Sequence, residues 1–332
     1  MKKEELRIVY MGTPDFAVEA LRCLVEGGYN VVGVITMPDK PGKRGMKLQY
    51  SPVKQYALEQ GLPLLQPEKL KDETFLEALR AWNADLQIVV AFRMLPQVVW
   101  DMPRLGTFNL HASLLPQYRG AAPINWAVIR GEKETGITTF FLKHEIDTGE
   151  VIQQVRVPIT PEDNAGSVHD KLMVLGGKLV TETVDHILDG SIHPIPQEEM
   201  MPQEGELKPA PKIFKETCHI SWDRPTLEVH NLVRGLAPYP AAWCELCPPN
   251  DGERIAVKVY ETEPAEVFSP TDGDQQSPVA PGTIRTDGKR VLCVATADGW
   301  LKICQLQLPG KKRLLTEELL RGFHLSEEWH MN

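Results

Sequence analysis

Leu6-Arg7-Ile8-Val9-Tyr10-Met11 is a short apolar run that breaks at Gly12-Thr13-Pro14-Asp15. A run of this length closed by Gly and Pro reads as a buried strand entering a turn. Directly after it, Phe16, Ala20, Leu21 and Leu24 recur at helical spacing, which predicts a helix over residues 15–26. The pattern then repeats. Residues 31–36 and 86–92 read as buried strands, and 52–60 suit a short helix between them. Residues 107–112, 135–142 and 151–157 read as further strands, 121–130 as a helix and 167–188 as a long helix. Strands separated by helices imply an α/β fold, a doubly wound and mostly parallel sheet with helices on both faces. Such sheets take ligands in the crevice beyond the carboxyl ends of their strands. The first turn lacks GxGxxG, which argues against a dinucleotide-dependent dehydrogenase.

The remaining length needs a second domain, since 332 residues exceed one ordinary domain. Residues 190–212 are rich in Pro and Glu and read as a surface linker. Beyond them, short strand-like runs at 255–260, 290–295 and 300–306 alternate with turn clusters, which predicts a small β-barrel or sandwich. The expected division is therefore 1–190, a linker at 191–208, and 209–332. Residues 261–281, acidic and rich in Pro and Ser, are expected to form a mobile loop. Apolar residues at 42% and charged residues at 24% fit a globular chain rather than a disordered one. No stretch approaches the roughly 18 uninterrupted apolar residues of a membrane helix, and the opening residues are too polar for a secretory signal. The expected compartment is the cytoplasm, without a membrane partner.

The net charge of −9 excludes a protein that grips nucleic acid with its whole surface. Two local patches are basic. Residues 38–54 set Lys40, Lys43, Arg44, Lys47 and Lys54 against the single Asp39, and Lys311-Lys312-Arg313 forms a second cluster. The 6 cysteines are sparse, and only Cys244 and Cys247 have metal-like spacing. No second pair completes a zinc set, so they read as two strand residues facing similar directions, and no metal is expected.

The stretch richest in chemistry is Phe108-Asn109-Leu110-His111-Ala112-Ser113-Leu114-Leu115-Pro116-Gln117-Tyr118-Arg119-Gly120. Asn109 and His111 are two apart, so a strand points both to one face. There they set an amide donor beside a base that titrates near neutral pH. Asp147 follows in a Glu145-Ile146-Asp147-Thr148-Gly149 turn, a position from which a carboxylate can orient the histidine. Taken singly, each has a plainer explanation: a satisfied polar residue at a strand end, or a turn-forming aspartate.

Taken together, the Asn109–Ala127 segment and Asp147-Thr148-Gly149 resemble the signature of the 10-formyltetrahydrofolate-dependent formyltransferases. The resemblance implies a Rossmann-like formyltransferase domain followed by a small OB-like barrel. It also implies 10-formyltetrahydrofolate as formyl donor and no metal. In its terms Asn109 stabilises the oxyanion, His111 moves the proton and Asp147 supports the charged histidine. Ser113, Leu114, Leu115 and Pro116 would line the folate site. The acceptor is suggested by three further resemblances: the opening segment 7–17, the basic loop 38–45 with 51–54, and the C-terminal segments 209–213, 220–222, 233–240 and 306–312. All resemble the branch that acts on initiator tRNA charged with methionine. That branch implies Lys43, Arg44 and Lys47 at the tRNA acceptor end, Lys311 and Lys312 on phosphate, and a monomer. The resemblance runs from residue 6 to 322 and omits 261–281. One run departs from it: Phe92-Arg93-Met94-Leu95-Pro96 stands where the family has an aromatic-Gly-Leu-Ile-Leu-Pro loop at the pterin. A formyltransferase for nucleotide-linked amino sugars would share Asn109, His111 and Asp147 but needs no basic insertion. A non-catalytic folate- or RNA-binding module would need none of the three.

Overall fold

The computed structural model describes residues 2–41, 48–201, 206–249, 252–265 and 279–332. Lys43, Arg44, Lys47 and most of the 261–281 segment fall outside the described residues. The chain divides into two compact units. One comprises Met1–Pro123, Glu134–Pro158 and His169–Pro211; the other comprises Ile124–Lys133, Ile159–Val168 and Lys212–Asn332.

The elements of the first half run β1 (Ile8–Gly12), α1 (Asp15–Glu26), β2 (Val31–Ile35), α2 (Pro52–Glu59), β3 (Leu64–Leu65), α3 (Glu73–Ala81) and β4 (Leu86–Val90). They continue with α4 (Gln97–Trp100), β5 (Thr107–His111), α5 (Pro123–Ile129), β6 (Glu134–Phe141), β7 (Val151–Pro158) and α6 (Ala165–Asp189). The strands form one sheet in the order β3-β2-β1-β4-β5-β6-β7. Its first five strands are parallel, and β6 and β7 extend it antiparallel. Every residue of β1 and β4 is buried, as expected of central parallel strands covered on both faces. Helix α1 turns Phe16, Ala17, Ala20, Leu21 and Leu24 inward. Helix α2 starts where Ser51 Oγ accepts from Lys54 N at 3.1 Å and Pro52 supplies the preset φ of a first turn. Helix α3 contributes Phe75, Leu76 and Leu79 to a core shared with Val9, Met11, Ile35 and Val89. The site strand β5 is the junction of the sheet: Val89 of β4 is the parallel partner of Asn109, and Thr138 of β6 is the antiparallel partner of His111.

The second unit is built on α7 (Thr226–Leu236), β8 (Ala242–Cys247), β9 (Ile255–Ala265), β10 (Ile284–Thr286), β11 (Leu292–Ala295), β12 (Trp300–Gln307), β13 (Leu314–Leu315), α8 (Thr316–Leu320) and β14 (His330–Met331). These strands form an antiparallel sheet in the order β10-β11-β12-β9-β8-β14. A bridge between Thr283, just before β10, and His330 of β14 brings the two ends together, giving a nearly closed barrel. Trp222, Val229, Val233 and Leu236 pack with Leu246, Val257, Val259, Leu301 and Ile303 in its interior. Cys244 and Cys247 correct the expectation from sequence. Strand β8 alternates strictly between buried and half-buried positions, so Cys244 points into the core and Cys247 points the other way. Three residues of extended chain reverse the face, because the side-chain period is two.

Candidate active site

Strand β5 delivers Asn109 and His111 to the carboxyl end of the sheet on one face. His111 is buried, and its Nε2 lies 2.9 Å from the Tyr118 carbonyl oxygen. A carbonyl only accepts, so Nε2 carries the hydrogen and donates it. Nδ1 is thereby left as the ring position open to proton exchange. It faces Asp147 Oδ2 at 3.9 Å, within reach of ion pairing but beyond direct hydrogen-bond length. Asn109 is half-buried, and its Oδ1 is buried without a hydrogen-bond partner. A buried polar atom left unsatisfied costs free energy. Here it marks a place that a ligand donor can fill beside the imidazole.

Asp147 sits in the turn between β6 and β7 with φ of 55°, the left-handed region that few non-glycine residues adopt. Its Oδ2 accepts from Gly120 N at 3.1 Å. Gly120 has φ of 125°, and a Cβ there would lie 2.4 Å from the Ala210 carbonyl oxygen, so only glycine fits. Gly149 is constrained as tightly: a Cβ would fall 1.6 Å from the Phe141 carbonyl oxygen. Gly120 thus lets its loop lie against the backbone at Ala210, and Gly149 lets the turn fold back on the end of β6.

The four residues expected to line the folate site form a packed corner. Ser113, Leu115 and Pro116 are buried and Leu114 is half-buried. Ser113 Oγ donates to Gln117 O at 2.7 Å, so its hydroxyl is committed within the loop. Thr138 Oγ1 donates to Ser113 O and accepts from Leu115 N, and Gln154 Nε2 donates to Leu115 O at 2.7 Å. Leu115 packs with Phe140 and Val151.

Arg93 commits its guanidinium to two backbone carbonyls. Nη1 donates to Glu68 O at 2.8 Å and Nη2 donates to Pro67 O, which ties the loop after β4 to the connection after β3. In the basic stretch at 38–54, Lys54 is buried and its Nζ lies 2.6 Å from Asp39 Oδ2 and 2.9 Å from Gln66 Oε1. Lys54 is thus a structural cation, neutralised at the base of the insertion. Lys311 and Lys312 are exposed just after β12.

Sequence reasoning passed over several groups of this site. The Tyr118 carbonyl and the Gly120 N–H are backbone atoms whose roles no side-chain pattern reveals. Gln197 lies in a Pro- and Glu-rich segment that reads as linker, yet it is fully buried.

Comparison with known proteins shows the family of the chain. Residues 6–184 match the formyl transferase family and residues 212–324 match the formyl transferase C-terminal domain. The chain belongs to the formyl transferase family and is an enzyme of that class. A methionyl-tRNA formyltransferase of Bacteroides fragilis is 70% identical over 331 residues, covering 100% of this chain and 99% of the relative. Among solved structures, an N-formyltransferase of Helicobacter canadensis in complex with folinic acid and dTDP-3-aminofucose superposes with a TM-score of 0.62 at 17% identity, covering 90% of this chain and 98% of that one. HypX of Aquifex aeolicus gives a TM-score of 0.60 at 19% identity, over 97% of this chain and 49% of that chain. At such identities these two structures speak for the fold alone.

Proposed function

We propose that the chain transfers the formyl group of 10-formyltetrahydrofolate to the α-amino group of methionine esterified to initiator tRNA. The observation that carries the acceptor is the 70% identity to the Bacteroides fragilis methionyl-tRNA formyltransferase along the whole chain. The geometry at Asn109, His111 and Asp147 supports the chemistry. When bound, the folate donor supplies an electrophilic formyl carbon and a nitrogen leaving group. Asn109 donates through Nδ2 to the formyl oxygen as it gains negative charge, an interaction worth about 2.7–4 kcal/mol of barrier in comparable sites. His111 takes the proton of the attacking amine at Nδ1 and returns it to the departing nitrogen, so its own protonation is restored after each turnover. Such acid–base help contributes roughly 10²–10⁴-fold. Asp147 balances the imidazolium charge while the proton is on Nδ1.

Ser113, Leu114, Leu115 and Pro116 form the wall of the donor site through packing, since the serine hydroxyl is already committed. Lys43, Arg44 and Lys47 reach the acceptor end of the tRNA, and Lys311 and Lys312 hold phosphate. The overall charge of −9 keeps RNA off the rest of the surface. The enzyme works as a monomer in the cytoplasm, with residues 1–190 as catalytic domain, 209–332 as OB-like tRNA-binding domain and 191–208 as the segment that joins them, packed on the first unit through the buried Gln197. The test offers the purified protein initiator methionyl-tRNA, elongator methionyl-tRNA and a nucleotide-linked amino sugar as parallel acceptors. Formylation of the initiator species is expected, and transfer to the sugar alone overturns the assignment.

A further inference from the structure

Gln197 follows α6, in a short 3-10 turn over Gln197–Met200, and has no exposed surface. Its amide is saturated. Nε2 donates to Asp147 O and to Gly149 O, each at 2.8 Å. Oε1 accepts from Arg119 Nε at 3.0 Å and from Arg119 Nη2 at 2.6 Å. The amide orientation is fixed by its partners, because both on the nitrogen side are carbonyls and both on the oxygen side are guanidinium donors.

Each pair of bonds ends next to a group of the site. Asp147 is the positive-φ residue that carries the carboxylate and Gly149 lies two residues on in the same turn, while Arg119 precedes the Gly120 N–H from which the carboxylate accepts. The outer side of the turn is open: Glu145 and Ile146 are exposed. One buried amide therefore spans the turn and the loop, and sets the distance between them. From this we propose that Gln197 is a positioning residue for formyl transfer, holding the Asp147 carboxylate at His111 Nδ1. The proposal rests on the reading of Asp147 and His111 given above. Only an amide of this length meets the demand, since glutamate cannot donate to two carbonyls and methionine cannot donate and accepts only weakly.

The experiment measures kcat and both KM values for Gln197→Met, Gln197→Glu and Asp147→Asn, and for Gln197→Met combined with Asp147→Asn, in the full-length enzyme. Misplacing a catalytic group by about 1 Å can cost on the order of 10²-fold. Gln197→Met and Gln197→Glu are expected to lower kcat by roughly ten- to a hundredfold, with the KM for methionyl-tRNA held within about twofold. In the Asp147→Asn background, Gln197→Met is expected to cost little more, because the group it positions is already gone. Full kcat in both Gln197 variants, with Asp147→Asn impaired, overturns the proposal and leaves the catalytic reading intact. An equal kcat loss from Gln197→Met in both backgrounds also overturns it and makes Gln197 a packing residue. Unimpaired Asp147→Asn overturns the catalytic reading and this proposal together. Gln197→Glu keeps the bonds to Arg119 and supplies the folded variant should Gln197→Met fail to accumulate.

Discussion

His111 Nδ1 and Asp147 Oδ2 lie 3.9 Å apart, while the other imidazole nitrogen is committed to the Tyr118 carbonyl oxygen. A ring anchored at Nε2 cannot exchange its proton there without breaking a buried hydrogen bond. The working proton is therefore confined to the side facing the carboxylate. His111→Gln should lower kcat by roughly 10²–10⁴-fold and leave tRNA binding intact. Single-turnover formylation together with filter binding checks the two halves of that statement.

Asn109 should be separable from the histidine. Its amide acts on charge that develops at the formyl oxygen, so Asn109→Ala should cost about 10²–10³-fold in kcat. The affinity for the folate donor, read by ligand fluorescence quenching, should change far less. A proportional loss of donor affinity would reassign Asn109 to ground-state binding.

The triangle of Asp39, Lys54 and Gln66 makes a stability prediction. Hydrogen bonds from Gln66 and then Lys54 hold the Asp39 carboxyl below its ordinary value of 3.8. The carboxylate accordingly stabilises the fold above the pKa it has in the unfolded chain. That contribution is lost as pH falls through its lower folded value. Asp39→Ala and Lys54→Met should each lower the melting temperature at pH 7, and the double variant should lose less than the sum. Thermal melts of the four proteins give the coupling directly.

His230 titrates in the opposite chemical sense with the same outcome. Burial first, and then Arg234 on the same helix, pushes its imidazole below the ordinary value of 6.5, against Glu263 of β9. Nδ1 shares a hydrogen bond with Thr262 Oγ1 at 3.0 Å. Between the folded and unfolded values, the unfolded chain binds more protons, so stability falls as pH drops below about 6.5. Urea unfolding at pH 5.5 and 7.5 should show the loss, and His230→Gln should reduce it.

Phosphate contact by Lys311 and Lys312 predicts a salt signature. Each alanine substitution should reduce the log–log slope of tRNA affinity against salt by about 0.7–0.9. Unchanged slopes would remove these lysines from the interface.

The first unit was largely legible because its central strands β1, β2 and β4 are short, mostly apolar runs. Residues 15–26 coincide with α1, and 107–112 contain β5. Helix α3 lacks so clean a signal, since its buried Phe75, Leu76 and Leu79 form a narrow face among charges. Helix α7 carries Val229, Val233 and Leu236 at helical spacing, but Gly235 and the short-strand character of its surroundings mask it. In the site, the spacing of Asn109 and His111 conveys a shared face. The hydrogen bond that fixes the ring's tautomer comes from a backbone carbonyl, to which no residue type corresponds. Gln197 was hidden for a different reason: its environment is assembled from segments about fifty and eighty residues earlier in the chain.

The barrel is completed by its last residues. Asn332 and Glu245 exchange backbone hydrogen bonds at 2.8 and 2.9 Å, and Met331 N donates to Gly282 O at 2.9 Å. Removing residues 330–332 would uncover the rims of two neighbouring strands at once, leaving unpaired amides ready to zip onto another molecule.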